Sequence, residues 1–254
     1  MNLPILYEDA DIVAVAKPAG LITHSDGRTK EETAEDWFNT RYPKINEGHL
    51  REPDGLRHAE GSLRRTEGGY VHRLDRDTSG VLVFAKNPAA YEFLRKAFHD
   101  HDVKKTYLAF TYGAPKEKNG NIDFDIGRSR QDFRLRSAQP KAKGRLREAL
   151  TRYEVLGESG EFALMKMSPE TGRTHQIRVH LKAIHHPIIG DKLYAPNHKP
   201  ALGITRLGLH AYMLDLPLPK GGRTLIAAPI PSDLAPALAH FPGAEGKFAP
   251  NTNA

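Results

Sequence analysis

The sequence predicts an α+β fold in which a mixed, largely antiparallel central sheet is flanked by helices. Alternating apolar residues at 5–17 indicate a hairpin, and similar runs around a GESG turn at 150–168 indicate an antiparallel pair. Apolar residues at helical spacing occur at 88–99 and again at 174–184. No repeat or linker interrupts this order, so we expect one domain whose two lobes share the sheet.

The first predicted element is the hairpin. Residues 5–7 and 11–17 alternate as short strands, and the turn formers at 8–10 join them. Pro-Ala-Gly at 18–20 ends the second strand, because proline and glycine disfavour its continuation. The stretch at 39–69 is polar, rich in glycine and histidine, and lacks apolar periodicity, so we interpret it as a long insertion loop.

A strand and a helix are predicted next. Residues 81–86 form an apolar run of strand length. Asn87 followed by Pro88 is the pattern of a helix N-cap and the first helical position, and the helix is expected to end near His99.

The following strand, KTYLAFTYG at 105–113, directs its side chains alternately to two faces. One face carries Leu108, Phe110 and Tyr112, and Tyr107 lies on the other. Tyr107 is therefore expected to point away from the more apolar face. Packing against a second layer would explain such an aromatic side chain as well as a functional role does.

The last predicted elements surround a short loop. Residues 169–173 lead into a helix over 174–184, for which Thr174 is the candidate N-cap. The free N–H groups and positive dipole at such a helix start suit an anion. Residues 207–216 and 223–228 are predicted closing strands.

Composition limits the class of protein. The 254 residues include no cysteine, which excludes disulfides and thiolate chemistry and fits a reducing cytoplasm. The first residues show neither a positive n-region nor a long apolar h-region, so we expect no secretory leader, and no apolar run approaches the roughly 18 residues needed to cross a membrane. We expect a cytoplasmic single domain over 1–254, with a core at about 5–228 and a disordered tail at 246–254.

Charge points to an anionic partner. Lysine and arginine number 37 against 31 acids, and the stretch 128–152 contains nine basic residues and two acidic ones, with Phe133 within it. Such clustering is typical of a surface that binds a phosphate backbone. A solvated hairpin face would give the same pattern, so this stretch alone leaves both interpretations open.

Several other kinds of site are not supported. His175 and His180 are five residues apart, so they diverge on a helix and do not match a zinc protease pair. The chain has neither a phosphate-binding P-loop nor a dinucleotide glycine fingerprint. Ser79 lacks the glycine pattern of a nucleophile elbow. We therefore predict no metal and no nucleotide cofactor.

Asp75 is the strongest candidate for chemistry. It lies between Arg73 and Arg76 and just ahead of the bend formers at 78–80. Neighbouring arginines would favour the ionised carboxylate, which can act as a nucleophile or base beside a phosphodiester. A structural salt bridge is an equally physical explanation of the same residues.

The stretch HRLDRDTSGVLVFAK at 72–86 closely resembles the signature of the RluA-type family of RNA pseudouridine synthases. The family resemblance extends in order through 5–21, 105–113, 171–195 and 206–214. It implies the pseudouridine synthase fold, with a cleft between two lobes. It also implies an isomerase that flips specific uridines out of structured ribosomal or transfer RNA and converts them to pseudouridine.

The resemblance implies roles for individual residues. Asp75 would start the exchange of the glycosidic bond, Tyr107 would stack on the uracil, and Arg178 would pair with Asp75. Arg73 would fill the gap left by the flipped nucleotide. The full set of implied RNA contacts is His72, Arg73, Thr78, Arg173, Thr174, His175 and Gln176. The resemblance implies no cofactor, and we expect a monomer whose partner is RNA.

Two further functions compete with this one. An RNA-binding or RNA-folding factor with incidental catalysis would carry the same motifs. A carboxylate glycosidase acting on nucleosides would need a second positioned acid, for which Asp77 is the nearest candidate. The insertion at 47–69 and the loosely matching segment 144–155 depart from the family pattern, which leaves RNA contacts there open.

Overall fold

The computed structural model describes residues 1–25, 30–43, 69–130, 132, 135–138, 140 and 142–248. Most of the predicted insertion at 39–69, Phe133 and the last residues of the predicted tail lie outside this part of the chain. Within it, no helix is long and apolar enough to cross a membrane.

The described residues form strands and short helices in alternation. The strands are β1 (Ile5–Glu8), β2 (Ile12–Lys17), β3 (Ser79–Ala85), β4 (Lys104–Tyr112), β5 (Asn119–Asp123), β6 (Ile126–Ser129), β7 (Arg136–Ala138), β8 (Ala142–Arg147), β9 (Leu150–Ser159), β10 (Phe162–Pro169), β11 (Leu209–Pro217) and β12 (Arg223–Ala227). The helices are α1 (Ala34–Arg41), α2 (Pro88–His99), α3 (Gln176–Ala183), α4 (Ala235–Leu238) and α5 (Glu245–Phe248).

Nine of these strands form one large sheet in the order β1-β2-β3-β11-β4-β10-β9-β5, with β12 paired to β11. Every pairing is antiparallel except that of β3 with β11. The predicted mixed, largely antiparallel α+β fold is therefore confirmed. A second sheet, β7-β6-β8, lies within the basic stretch and its flank.

The parallel pairing of β3 with β11 joins the two halves of the large sheet. Ser79 lies opposite His210, and Gly80 lies opposite Ala211. Gly80 has φ +126°, and a Cβ at this position would come within 2.1 Å of the Ala211 carbonyl oxygen. Only glycine fits here, because both the backbone angle and the close approach exclude a side chain.

Apolar side chains cover both faces of β3. On one face, Val83 clusters with Leu94 of α2. On the other, Phe84 packs against Trp37 and Phe38 of α1. Burial on both faces explains why this strand is an almost continuous apolar run. The rigid strand then gives a fixed starting point for the loop that precedes it.

The other half of the sheet is also covered on both faces. Ile177 and Leu181 of α3 cluster with Met165 of β10 on one side. The segment that contains α4 and α5 covers the other side, where Phe241 clusters with Phe110. Helix α3 is thus fixed against the sheet, which determines the positions of the polar residues at its start.

The predicted helix boundaries are partly right. Asn87 caps α2 as expected, because its side chain accepts a hydrogen bond from the Ala90 N–H at 2.9 Å. Helix α1 was not predicted, and it makes residues 39–41 helical rather than loop. Residues 246–248 complete α5 and are not a disordered tail, since Phe248 is buried in the core.

The predicted N-cap of α3 is wrong. His175, not Thr174, occupies the cap position, with a left-handed backbone (φ +58°) and no side-chain cap hydrogen bond. The loop before the helix is instead closed by Gln176, which takes the place of a capping side chain. This shift by one residue turns the His175 ring toward Asp75.

Candidate active site

The loop that carries Asp75 is fixed through its backbone. The Thr23 hydroxyl donates to the Leu74 carbonyl oxygen at 2.9 Å and accepts from the Leu74 N–H at 3.2 Å. The Thr78 N–H donates to the Asp75 carbonyl oxygen at 3.1 Å, which closes the turn before β3. Asp75 therefore lies on a rigid bend at the start of a buried strand.

Lys17 also fixes the loop that carries Asp75. Its side chain is almost fully buried, and its ammonium donates to the carbonyl oxygens of Pro18, Leu21 and Arg76 at 3.0, 2.7 and 3.0 Å. Burial lowers the pKa of Lys17 to about 7, although the charges of Asp75 and Asp77 oppose this shift. Sequence reasoning missed this residue, which looks like an ordinary strand end.

Arg178 connects Asp75 to a second, buried acid. Its Nε and Nη2 both donate to the Asp191 carboxylate at 2.8 Å, whereas Nη1 reaches Asp75 Oδ2 at 3.4 Å. Asp191 is itself fixed, because its Oδ1 accepts the N–H groups of Leu193 and Tyr194 at 3.0 Å. The planar guanidinium is thus oriented by Asp191 and presents its remaining edge to Asp75.

The predicted contact of Arg178 with Asp75 is present, but it is not the principal ion pair of Arg178. Burial disfavours the charge of Arg178, yet the hydrogen bonds and charge of Asp191 raise the pKa of Arg178 above its ordinary value. Asp191 was missed, although it belongs to the family-like segment at 171–195. An acid near an arginine in such a segment was the available signal.

Tyr107 reaches the site from β4. Its ring packs in the same cluster as Leu74, next to the Asp75 loop. Burial raises the pKa of Tyr107, and the negative charge of Asp75 raises it further. The phenol is therefore neutral at pH 7 and its hydroxyl remains a hydrogen-bond donor.

His175 also lies beside Asp75, and Tyr194 contacts both His175 and Arg178. His175 Nε2 lies 3.9 Å from Asp75 Oδ2, and its Nδ1 lies 2.9 Å from the Tyr194 hydroxyl. The Tyr194 ring lies under the Arg178 guanidinium, with 5.0 Å between its centroid and Cζ. Burial lowers the pKa of His175 and raises that of Tyr194 to about 12.

Gln176 organises the loop before α3. Its Oε1 accepts from the Thr171 hydroxyl and the Arg173 N–H, at 2.7 and 2.9 Å. Its Nε2 donates to the Leu150 carbonyl oxygen and the Thr151 hydroxyl, both at 3.0 Å. Because the side chain is buried and all these partners are internal, Gln176 shapes the loop before α3.

His72 and Thr78 are held close to the sheet. His72 is half-buried; its Nε2 accepts the Val83 N–H at 3.0 Å and its ring stacks on Phe98, while burial lowers its pKa to about 3. Only 2% of the Thr78 surface is exposed. The expected RNA contacts of these two residues stay a prediction, with His72 Nε2 already engaged by the backbone of β3.

The two arginines beside Asp75 in the sequence do not surround it. Arg76 points outward to Glu31, with 2.7 Å between Nη2 and Oε2. Arg73 is exposed and bonds to none of the described residues. The cations nearest Asp75 come instead from Arg178 and the buried Lys17, which are distant in sequence.

A basic rim borders the site. A surface depression of about 430 Å³ is lined by Arg145, Leu146, Arg147, Glu148 and Arg173. The Arg173 Nε donates to the Glu148 carbonyl oxygen at 2.9 Å, which ties the loop before α3 to the end of β8. Thr174 is exposed beside this rim.

The arrangement can support carboxylate chemistry next to a flat ligand. Asp75 Oδ2 faces Arg178 and His175, while Oδ1 has no hydrogen-bond partner among the described residues. A neutral tyrosine lies beside it. Such a site offers a carboxylate that is fixed through one oxygen and open at the other. An aromatic surface lies beside it, and cations lie at its edge.

Residues 11–183 match the family model of the RNA pseudouridylate synthases. Together with the sheet and the Asp75 loop, this match shows that the chain belongs to the RluA family of RNA pseudouridine synthases, which are isomerases acting on RNA. The RluA-type resemblance predicted from residues 72–86 is thereby confirmed.

Similar proteins come from distant organisms. An uncharacterized RNA pseudouridine synthase of Mycobacterium bovis is 38% identical over 93% of this chain and 72% of its own length. Ribosomal large subunit pseudouridine synthase D of Borreliella burgdorferi is 32% identical over 94% of this chain and 69% of its own length. The structure of human RNA pseudouridylate synthase domain containing 1 aligns with a TM-score of 0.70 and 27% identity, covering 94% of this chain and 88% of that one.

Proposed function

We propose that this enzyme converts specific uridines of ribosomal or transfer RNA into pseudouridine, with Asp75 as the catalytic carboxylate. The observation that carries the proposal is the placement of Asp75 between the Arg178 guanidinium and the Tyr107 ring, on a loop fixed by buried contacts. Ribosomal RNA is the first substrate to test, because the similar Borreliella protein is named for the ribosomal large subunit. The enzyme would act as a cytoplasmic monomer.

The proposed reaction exchanges one bond for another at the ribose. Asp75 either attacks the flipped uridine, forming an ester bond that is broken again before the product leaves, or removes a proton from its sugar that is later returned to the same carbon. In both cases the bond between C1′ and N1 breaks. The detached uracil turns and C5 bonds to C1′. The C5 proton is lost and N1 gains one, so the product is an isomer of the substrate. Holding the detached base is the main contribution of the protein.

Tyr107 and Arg178 would serve this step in different ways. Tyr107 stacks on the uracil, and its neutral hydroxyl can assist removal of the C5 proton. Arg178 holds Asp75 Oδ2, while its tight pair with Asp191 prevents the guanidinium from turning away. No metal or cofactor enters the scheme.

RNA would be held by the exposed residues around the site. Arg73 is free to enter the helix in place of the flipped nucleotide, which offsets the few kcal/mol lost on unstacking. Arg173, the exposed Thr174 and the arginines of β8 would bind flanking phosphates. His175 faces Asp75 rather than the outer surface, so we assign it to the reaction site.

The decisive experiment compares Asp75→Asn with Asp77→Asn. Pseudouridine is mapped across total RNA by carbodiimide labelling and reverse-transcription stops, in a strain lacking the gene and in strains supplied with each version. We expect discrete sites to disappear in the deletion strain and to return with wild type and Asp77→Asn. Asp75→Asn should restore none, because its amide is a poor nucleophile and base.

Binding separates this proposal from a role as an RNA-binding factor. Asp75→Asn should still bind RNA, since affinity comes mainly from phosphate contacts. If Asp75→Asn restored the modified sites, the assignment of the catalytic carboxylate would be wrong. If no site depended on the gene, but growth or ribosome assembly did and Asp75→Asn restored it, the binding-factor interpretation would replace this one.

A further inference from the structure

The Tyr194 hydroxyl lies between a strand of the small sheet and His175. It accepts a hydrogen bond from the backbone N–H of Arg136 in β7, with 3.0 Å between N and O. Its second partner is His175 Nδ1, at 2.9 Å. The backbone N–H can only donate, and among the described residues the phenol proton has no acceptor other than His175 Nδ1, which makes Nδ1 the unprotonated nitrogen of the ring.

This assignment fixes where the other imidazole proton lies. A neutral histidine whose Nδ1 accepts carries its proton on Nε2. Nε2 is the atom that faces Asp75 Oδ2, at 3.9 Å. Hydrogen bonds therefore run from the Arg136 N–H through the Tyr194 hydroxyl to His175, and the His175 Nε2–H faces the carboxylate across a contact longer than a hydrogen bond.

The backbone of His175 supports a dedicated orientation. Its φ of +58° lies in the left-handed region, which costs free energy for a residue other than glycine. This conformation places the ring between Tyr194 and Asp75 instead of over the start of α3. Charged groups that face the ring are Asp75, Arg178, Asp191 and Arg136.

We propose that Tyr194 is a positioning residue that holds His175 as the Nε2–H tautomer, so that Asp75 Oδ2 faces two donors, Arg178 Nη1 in a hydrogen bond and His175 Nε2 at 3.9 Å, and Oδ1 is left to react. The inference rests on the proposed role of Asp75 as the catalytic carboxylate. The Tyr194 hydroxyl acts only through His175, whereas its ring supports Arg178. Removing the hydroxyl alone should therefore remove the hydrogen bond to His175 and leave the packing of the Tyr194 ring against Arg178 in place.

The first test is the kinetics of Tyr194→Phe on the RNA site found by mapping. We expect kcat to fall about tenfold or more, as for the loss of one orienting hydrogen bond, with KM for RNA within about twofold. Tyr112→Phe is the matched control, because its hydroxyl also bonds within the protein, to the Lys199 carbonyl oxygen. Tyr112→Phe should keep the wild-type kcat.

A double-mutant cycle distinguishes an effect of Tyr194 that acts through His175 from a general loosening of the packing around Tyr194. His175→Asn tolerates the left-handed backbone, but its shorter side chain cannot span both Tyr194 and Asp75. If Tyr194 acts through His175, adding Tyr194→Phe to His175→Asn should cause no further loss of kcat. If the double variant lost kcat by the product of the two separate effects, or if Tyr194→Phe kept the wild-type kcat, the proposal would be overturned.

A second measurement needs no active enzyme. In wild-type protein with ¹⁵N-labelled histidine at pH 7, the His175 ring should show an unprotonated Nδ1 and a protonated Nε2, with the signal assigned by its loss in His175→Asn. A proton on Nδ1, or a mixture of tautomers, would overturn the proposal that Tyr194 holds His175 as the Nε2–H tautomer. Wild-type protein that modifies no RNA, yet shows the expected tautomer, would instead count against the proposed function alone.

Discussion

Single residues in this site owe their state to partners that are remote in sequence. Lys17 lies 58 positions before Asp75 and is buried against the carbonyl oxygens of its loop. Arg178 lies further along the chain and is oriented by Asp191. At this scale, the protein fixes the Asp75 carboxylate with buried basic groups that are each satisfied by hydrogen bonds.

The buried ammonium of Lys17 predicts a pH-dependent contribution to stability. Its folded pKa, about 7, is below the ordinary lysine value of 10.5, so the unfolded chain binds more protons between these values. Stability then rises with pH in that window, by on the order of 1 kcal/mol per pH unit at most. Urea unfolding of wild type and Lys17→Met at pH 7 and pH 9 should show a difference that grows in favour of wild type.

The variant also tests the support of the Asp75 loop. Lys17→Met leaves three buried carbonyl oxygens without their donor, so we expect it to be less stable than wild type at pH 9 and less active. If the unfolding free energies of wild type and Lys17→Met differed by the same amount at pH 7 and pH 9, the lowered pKa of Lys17 would be contradicted. Such a result would show that the three carbonyl groups keep Lys17 protonated throughout.

At the scale of elements, two features place the site. The parallel pairing of β3 with β11 sets the point at which the Asp75 loop enters the sheet. The start of α3 brings His175, Gln176 and Arg178 to the same place. Both features depend on backbone conformations that few residues tolerate, namely φ +126° at Gly80 and φ +58° at His175.

Gly80→Ala should strongly destabilise the enzyme. Its Cβ would overlap the Ala211 carbonyl oxygen, and its φ is strained for alanine, so the expected loss is about 2 to 4 kcal/mol of unfolding free energy. Gly246→Ala is the control, because a Cβ there meets no atom within 4 Å, and its effect should stay within about 0.5 kcal/mol. Urea denaturation measures both, and wild-type stability for Gly80→Ala would contradict the described junction.

For the whole molecule, the distribution of charge is more informative than its sum. The formal net charge is +6, but exposed Lys143, Arg145 and Arg147 on β8 concentrate positive charge beside Arg173 and the reaction site. Long-range attraction of RNA to this side would orient the substrate before any base is flipped. Binding should therefore weaken steeply as salt increases.

The double variant Arg145→Ala/Arg147→Ala tests this surface. If each arginine neutralises one phosphate, the slope of log affinity against log salt should become shallower by about 1 to 2 units. Lys220→Ala, in the turn between β11 and β12, should leave the slope unchanged. Fluorescence anisotropy with labelled RNA between 50 and 300 mM salt, at roughly five concentrations, measures both. An unchanged slope in the double variant would place the RNA path elsewhere.

Much of the fold could be predicted from local patterns. The opening hairpin, the 150–168 pair and the capped helix α2 follow from alternation, turn formers and an N-cap with proline, which act within a few residues. Helix α1 also had a local signal that was overlooked, since Thr33 and Asp36 form a capping box. Local chemistry was present there, but the polar stretch that follows concealed it.

By itself, the sequence determined much of the strand and helix pattern, the family resemblance and Asp75 as the candidate carboxylate. Only the tertiary structure decided which groups surround Asp75: Arg178 with Asp191, His175 with Tyr194, and the buried Lys17. It also decided that Thr78 and Gln176 are buried and that His72 Nε2 bonds to the backbone of β3. The reason is physical, because burial, hydrogen-bond partners and charge environments depend on residues that are distant along the chain and meet only when the sheet forms.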